Sequence, residues 1–470
     1  MRKPLMMQNI TFDELSVGQT ARLVRSLSQA DIQAFAAVSG DLNPAHLDAE
    51  YAEGTRFHGV IAHGMWGGAL ISSVLGNEFP GPGTIYLEQT LAFHRPVHIG
   101  DTLSIVLTVT EKQAGSGVVK LDCQALNQKG ESVISGLATV LAPKHKISRP
   151  RPELPEMHLF DPRARLEAWV SSLKLGAPLP CAVVHPCDIE SLEGALEAAR
   201  RGLIAPILVG PEAKLRALEK QHGLDLSACR IEAVPHSHAA AARAVALAVA
   251  GEARMLMKGS LHTDELMRAV LQEPALRTGR RVSHVFRFDI PSYAKPLLLS
   301  DAAINIAPGL EDKADIVRNV IQLAQALGVA CPKIALLSAV ETVTEKIAST
   351  LDAAALCKMA ERGQIKGGLL DGPLAFDNAI SLEAARIKGI ASPVAGDADV
   401  LIVPDLESGN MLAKLLEYMA GASSCGVVLG ARVPIALTSR ADGPASRMAS
   451  AALAAVVALD MAQREAAPLV

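Results

Sequence analysis

The stretch SGDLNPAHLDAEYA, residues 39–52, sets Asp41 and His46 five positions apart across an Asn43-Pro44 pair. Just before it, SQADIQAFAAVSG (28–40) reads as a helix. Ser28 and Asp31 have the spacing of a capping box, Ile32, Phe35 and Ala36 share one face, and Gly40 stands as the stop. Proline restricts the residue before it to extended or turn geometry, so the chain after the helix is expected to fold back with Asp41 and His46 facing one pocket. An imidazole with an ordinary pKa of ~6.5 and a carboxylate near ~4 can together hold a water, remove one proton and return another at neutral pH, with no metal. The competing reading is an Asx-turn, in which Asp41 caps Asn43 or nearby amides and His46 is a surface residue.

Working outward, HGMWGGALISSVLG (63–76) is apolar on most sides and predicts a buried helix. Gly64, Gly67 and Gly68 at its start let unpaired first-turn N–H groups approach a ligand, where the helix dipole favours negative charge. That makes Gly64 the oxyanion candidate. His58 and His63 do not share the three- or four-residue spacing of a metal pair on a helix face, so both are read as structural or pocket-lining. Farther on, TLSIVLTVTEKQ (102–113), GVVKLDCQALNQ (117–128) and SVISGLATVLAP (132–143) alternate or cluster β-branched residues between turns, which predicts an antiparallel sheet wrapped around one helix.

On these residues, SGDLNPAHLDAEYA followed by VIAHGMWGGALIS resembles the MaoC-like, (R)-specific enoyl-CoA hydratases of the hot-dog fold, over roughly residues 10–143. The resemblance implies that Asp41 and His46 bind and activate the water added to a trans-2-enoyl thioester. It also implies that the Gly64 amide receives the thioester oxygen as it becomes enolate-like. A hot-dog thioesterase is the counter-reading, and the histidine partner favours hydration.

The whole chain has 470 residues, which suggests two or three domains. Half of it is hydrophobic, with a mean hydropathy of +0.25, as in a compact globular protein. A net charge of -4 with no basic run among aromatics argues against nucleic acid. Seven scattered cysteines without C-x-x-C spacing indicate neither a disulfide framework nor a zinc knuckle and fit a reducing cytoplasm. No apolar run is read as reaching the ~18 residues of a membrane span. Five prolines between 143 and 162 mark a seam. The expected organisation is an α+β hot-dog domain over 1–145, a Pro-rich linker over 146–165, and a two-lobed α/β domain with parallel sheets over 166–470.

In that last segment short apolar runs alternate with Ala-rich helical stretches: CAVVHP, PILVG, RMLMKG, VSHVFRFDI, KIALLSAVE, DVLIVPDL, CGVVLG and VPIALTSR. Ligands of such sheets sit beyond the carboxyl ends of the strands. Polar segments recur there: SAVETV, DGPLAFDNAIS with Asn378, PDLESGN and TSRAD. Together they predict a cleft of hydroxyls, amides and carboxylates. Neither a dinucleotide fingerprint nor a P-loop is present. Arg440 beside Ser439, and Arg268 in HTDELMRAVL, are therefore the phosphate candidates, since guanidinium forks match phosphate oxygens.

LMKGSLHTDELMRAVL, DAAINIAPGLEDKADIVRN, DGPLAFDNAIS, SPVAGDADVLIVPDLESGNMLAKLL and VPIALTSRAD resemble the phosphate acetyl/butyryltransferase family over nearly all of 165–470. The resemblance implies acyl transfer between CoA and inorganic phosphate. Ser439 would steady the reacting group, Arg440 and Arg268 would hold phosphate, and Asn378 would contact substrate. Where many family members place an aspartate base seven residues after that serine, this chain has Ser446, and Asp442 is the substitute candidate. The combined expectation is a cytoplasmic, homo-oligomeric, bifunctional enzyme. Its substrates would be CoA thioesters, acyl phosphate and phosphate, with no bound cofactor, metal, nucleic acid or membrane. The alternative keeps only the hydratase active and makes the C-terminal domain a regulatory or assembly module, as in the C-terminal regions of some malic enzymes that these domains also resemble.

Overall fold

The computed structural model describes residues 5–152, 164–438 and 442–466. The chain divides into two compact units, 1–159 and 160–470.

In the first unit, helix α1 (Gln29–Ser39) starts from the Ser28/Asp31 capping box and stops at Gly40, whose φ of 73° gives the left-handed turn. Two short helices, α2 (Pro44–Leu47) and α3 (Ala49–Glu53), carry the chain to the longer α4 (Gly64–Asn77). An antiparallel sheet runs in the order Thr20–Ser26, Thr102–Gln113, Val118–Leu126, Ser132–Leu141, Ile85–Gln89, and the short strand Ala92–Phe93 also pairs with Ser132–Leu141. Alternate residues face inward, with Ile105, Leu107 and Val109 opposite Ala125, Cys123 and Leu121, as a period of two requires. Ile71, Val74 and Leu75 of α4 join the same core, so this helix is the element the sheet wraps. The antiparallel sheet around one helix is what the alternation predicted, and the α+β hot-dog unit is what the MaoC-like resemblance implied.

The segment expected to be linker begins with structure. Ser148–Pro150 pairs antiparallel with Met6–Gln8, and the Asn9 side chain bonds the His145 carbonyl at 2.8 Å and the Ile147 amide at 2.8 Å. Proline is tolerated there because Pro150 ends a two-stranded edge. Residues 153–163 of the expected linker lie outside the described residues.

The second unit is the expected α/β domain, its mostly parallel strands joined in one eleven-stranded sheet. Two parallel blocks form its halves. One contains Arg230–Ala233, Ile204–Gly210, Leu179–Val184, Met255–Lys258 and Ile435–Ala436; the other contains Leu297–Ser300, Val400–Ile402, Lys333–Leu337 and Leu369–Leu374. Between them Ser423–Leu429 and Ser283–Asp289 pair antiparallel with each other and with the flanking strands. Loop length explains the reversal: 290–296 and 430–434 are too short for the crossover of about a dozen or more residues that parallel neighbours need.

The sheet is flanked by helices, among them Pro444–Ala466, which carries Met448, Leu453 and Val457 in the core. At 23 residues and with an apolar window, it corrects the expectation that no stretch is long and apolar enough to cross a membrane. Its apolar character comes mostly from alanines, so it does not read as a run of large apolar side chains. Sixty-one per cent of that window is buried inside the protein, as in a core helix.

Candidate functional sites

Asp41 and His46 are brought together by the Asn-Pro pair. The Asn43 side chain caps α2 by accepting from the Ala45 amide at 3.1 Å, and Pro44 takes the first helical position, where its missing N–H costs nothing. The Asp41 carboxylate accepts from the Asn43 amide at 3.2 Å, so the Asx-turn is present as well. Turn and pairing coexist because that contact occupies only one carboxylate oxygen. His46 Nδ1 lies 2.9 Å from the Ile61 carbonyl. A carbonyl can only accept, so Nδ1 carries the proton and Nε2 keeps the lone pair of a base.

His63, read from sequence as structural or pocket-lining, is the third member of this cluster. It is 2% exposed, its Nε2–H donates to the Asp41 carbonyl at 3.0 Å, and its ring lies 3.9 Å from that of His46, tilted by 32°. One polar side-chain atom of each of Asp41, His46 and His63 falls within 4.8 Å of the others. His46 Nδ1 and His63 Nε2 each face a backbone carbonyl, which leaves one nitrogen on each ring for any further partner. His58 stands apart, exposed, with a φ of 51°.

His46, His63 and Gly64 line a cavity of about 240 Å³ whose walls include Trp66, Phe93 and Ile134. Gly64 opens α4, whose N-cap residue His63 gives no side-chain cap, while the Trp66 amide is taken by the His63 carbonyl at 3.0 Å. A Cβ at Gly64 would lie 3.0 Å from the Phe93 ring, so the close approach depends on glycine.

In the second unit Ser439 and Arg440 lie outside the described residues. Their flanks are anchored by Arg447, 1% exposed, which donates to Thr438 Oγ1 at 3.1 Å and to the Asp442 carbonyl at 3.0 Å. Lys258, also buried, brings its ammonium to 3.4 Å from the Thr438 carbonyl. Asp442 is half-buried and lines a cavity of about 500 Å³ with Ser446, Ser423, Ser424, Glu417 and Tyr418. Arg268 is exposed on the helix Thr263–Gln272 and does not line that cavity. Asn378 is fully buried elsewhere. It donates to Glu341 at 2.5 Å, while its own Oδ1 has no hydrogen-bond partner among the described residues. Lys388 also reaches Glu341 and holds that carboxyl below the usual range. SAVETV and DGPLAFDNAIS therefore converge, but away from Asp442.

A "MaoC like domain" family model matches residues 14–127, and a "Phosphate acetyl/butaryl transferase" model matches 236–455. The phosphate acetyltransferase of Rhizobium meliloti is 59% identical over 305 residues, covering 65% of this chain and 96% of that protein. The chain belongs to the phosphate acetyl/butyryl transferase family. The phosphate butyryltransferase of Clostridium acetobutylicum is 42% identical over 278 residues, 59% of this chain and 92% of that one. Among solved structures, a branched-chain phosphotransacylase from Enterococcus faecalis is 30% identical with a TM-score of 0.52, covering 60% of this chain and 99% of that one. The (R)-hydratase PhaJ1 of Pseudomonas aeruginosa is 48% identical over 33% of this chain and all of its own, with a TM-score of 0.32. The architecture is thus a MaoC-like hot-dog unit fused to a transferase of the acetyl/butyryl family.

Sequence reasoning passed over Lys258 in this transferase fusion and gave His63 only a structural or pocket-lining part, with which its place on the cavity wall agrees. Lys258 had a usable signal, since a lone charge closing the apolar run RMLMKG sits at a strand's carboxyl end. His63 had little, because it is far in sequence from both of its partners.

Proposed function

We propose that the first unit reversibly hydrates trans-2-enoyl-CoA to (R)-3-hydroxyacyl-CoA, and that the second transfers acyl groups reversibly between CoA and inorganic phosphate. The observation that carries the first half is the locked tautomer of His46 on a cavity that the start of α4 bounds, with the exposed Asp41 side chain within 4.8 Å of the His46 and His63 rings' polar atoms. His46 Nε2 takes a proton from a water that Asp41 helps to hold. The resulting hydroxide adds to C3, and the proton is returned to C2. Meanwhile the Gly64 amide steadies the thioester oxygen while it bears enolate charge. In crotonyl-CoA hydration Asp41→Asn and His46→Ala are expected to lose on the order of 10² or more in rate. Wild-type rates in both variants would refute the assignment.

Support for the second half comes from family membership and from the Lys258 and Arg447 cations that anchor the flanks of the Ser439–Arg440 segment. Ser439 and Arg440 would hold the reacting group and phosphate, with Asp442 as base; Arg268 and Asn378 lie off that cavity and are assigned peripheral parts. Phosphate-dependent thiol release from acetyl-CoA or butyryl-CoA tests this half. It also separates a transferase from a regulatory module that binds without turnover, the reading that Ser446 favours. A homo-oligomer fits the edge strand Ile85–Gln89, which exposes Ile85, Tyr86 and Leu87.

A further inference from the structure

We infer that the acyl group handled by the second unit is a short 3-hydroxyacyl group, the product class of the first unit; the inference rests on the two activities proposed above. The cavity beside Asp442 has mixed walls. Leu166, Ala422 and Met448 are apolar, while Glu417, Asp442 and the serines are polar. Ser424 is committed to Glu417 at 2.6 Å. Ser423 and Ser446 are half-buried, and among the described residues neither hydroxyl makes a hydrogen bond. Idle hydroxyls facing a cavity are donors and acceptors waiting for a partner, and a plain alkyl chain would leave them unpaired on binding.

Charge narrows the occupant. Among the described residues the cavity wall carries the carboxylates of Glu167, Glu417 and Asp442 and no Lys or Arg, with Glu417 paired to Lys414 at 2.7 Å, so this cavity suits the neutral acyl end of the substrate more than a phosphate. A neutral hydroxyl can donate to a carboxylate and accept from a serine, while a short carbon chain rests on the apolar wall. Reaction chemistry points the same way. In an enoyl thioester the double bond is conjugated with the carbonyl and lowers its electrophilicity, and adding water across it removes that conjugation. The sequence balances. Water supplies OH to C3 and H to C2. Then a hydrogen phosphate oxygen attacks the carbonyl carbon, the C–S bond breaks, and the phosphate proton passes to the leaving thiolate. The products are 3-hydroxyacyl phosphate and free CoA.

The test uses the intact chain with phosphate and measures thiol release from (R)-3-hydroxybutyryl-CoA and butyryl-CoA, with hydroxylamine trapping and mass spectrometry to identify the acyl phosphate. A kcat/KM ratio favouring the hydroxyacyl thioester by on the order of 10-fold is expected, because sites built to bond a hydroxyl discriminate against the analogue lacking it. Ser446→Ala and Ser423→Ala should each pull that ratio toward unity. With crotonyl-CoA as the feed, the trapped product should be the 3-hydroxybutyryl hydroxamate. If butyryl-CoA turns over at least as well as the hydroxyacyl thioester, the inference falls and the transferase reading stands. If no acyl-CoA releases thiol, both fall.

Discussion

Replacing His63 tests whether a buried residue outside the acid/base pair holds that pair in place. In His63→Phe an aromatic ring still stacks on His46, 3.9 Å away in the native protein, but the donor to the Asp41 carbonyl, now at 3.0 Å, is gone. His63 is 2% exposed while Asp41 is exposed, so the freed Asp41 carbonyl is rehydrated and the loss is that of a net hydrogen bond, about 0.5–1.5 kcal/mol. If that cost is felt as displacement of Asp41 in the transition state, kcat for crotonyl-CoA hydration falls roughly 2- to 13-fold, at tenfold per 1.36 kcal/mol. KM should change less than kcat, since the lost bond positions Asp41 and binds no substrate. His63→Gln keeps an amide donor and should recover part of the loss. Stopped-flow or steady-state absorbance of crotonyl-CoA gives both constants, and thermal unfolding checks integrity. A His63→Phe protein with an unchanged melting transition and a kcat within twofold of wild type would refute the reasoning.

Three further outcomes follow from other contacts. Gly136→Ala places a Cβ 1.9 Å from the Thr90 carbonyl oxygen, so backbone must shift; at about 1–3 kcal/mol the first unit's calorimetric midpoint should drop by several degrees, and an unchanged midpoint would count against the packing described. Arg447→Met unties both flanks of residues 439–441, and phosphate-dependent thiol release should fall about tenfold or more for two lost buried bonds, with crotonyl-CoA hydration as the folding control; full transferase activity would sink that role. Burial pushes His284 down to about 4 from an ordinary ~6.5. Between those values the unfolded chain binds the proton and the folded chain does not, so stability is fully present above pH ~6.5 and is lost as pH falls, by up to about 1.4 kcal/mol per unit. Denaturant midpoints at pH 7 and pH 5 should therefore differ less in His284→Gln than in wild type, and equal differences would remove His284 as the cause.

Much of the first unit was legible because its signals are local. The capping box at Ser28, the stop at Gly40 and the inward alternation of Leu103, Ile105 and Leu107 each depend on residues a few positions apart. The antiparallel centre of the second sheet was also written in the short segments 290–296 and 430–434, but a reading by apolar runs alone passes over loop length. Leu297–Ser300 escaped for the same reason, being only four residues between a proline-rich turn and an aspartate.

The sequence by itself determined that an aspartate and a histidine would flank an Asn-Pro turn ahead of a glycine-rich helix start, since turn chemistry and capping act through neighbours in the chain. Only the tertiary structure decided which nitrogen of His46 is the base, because the deciding acceptor is the carbonyl of Ile61 on another segment. It alone also brought His63 against both partners and placed Asp442 and Ser446 on one cavity while leaving Arg268 and Asn378 off it. Hydrogen-bond direction and cavity shape arise where distant segments pack, and no local pattern of residue types encodes where those segments meet.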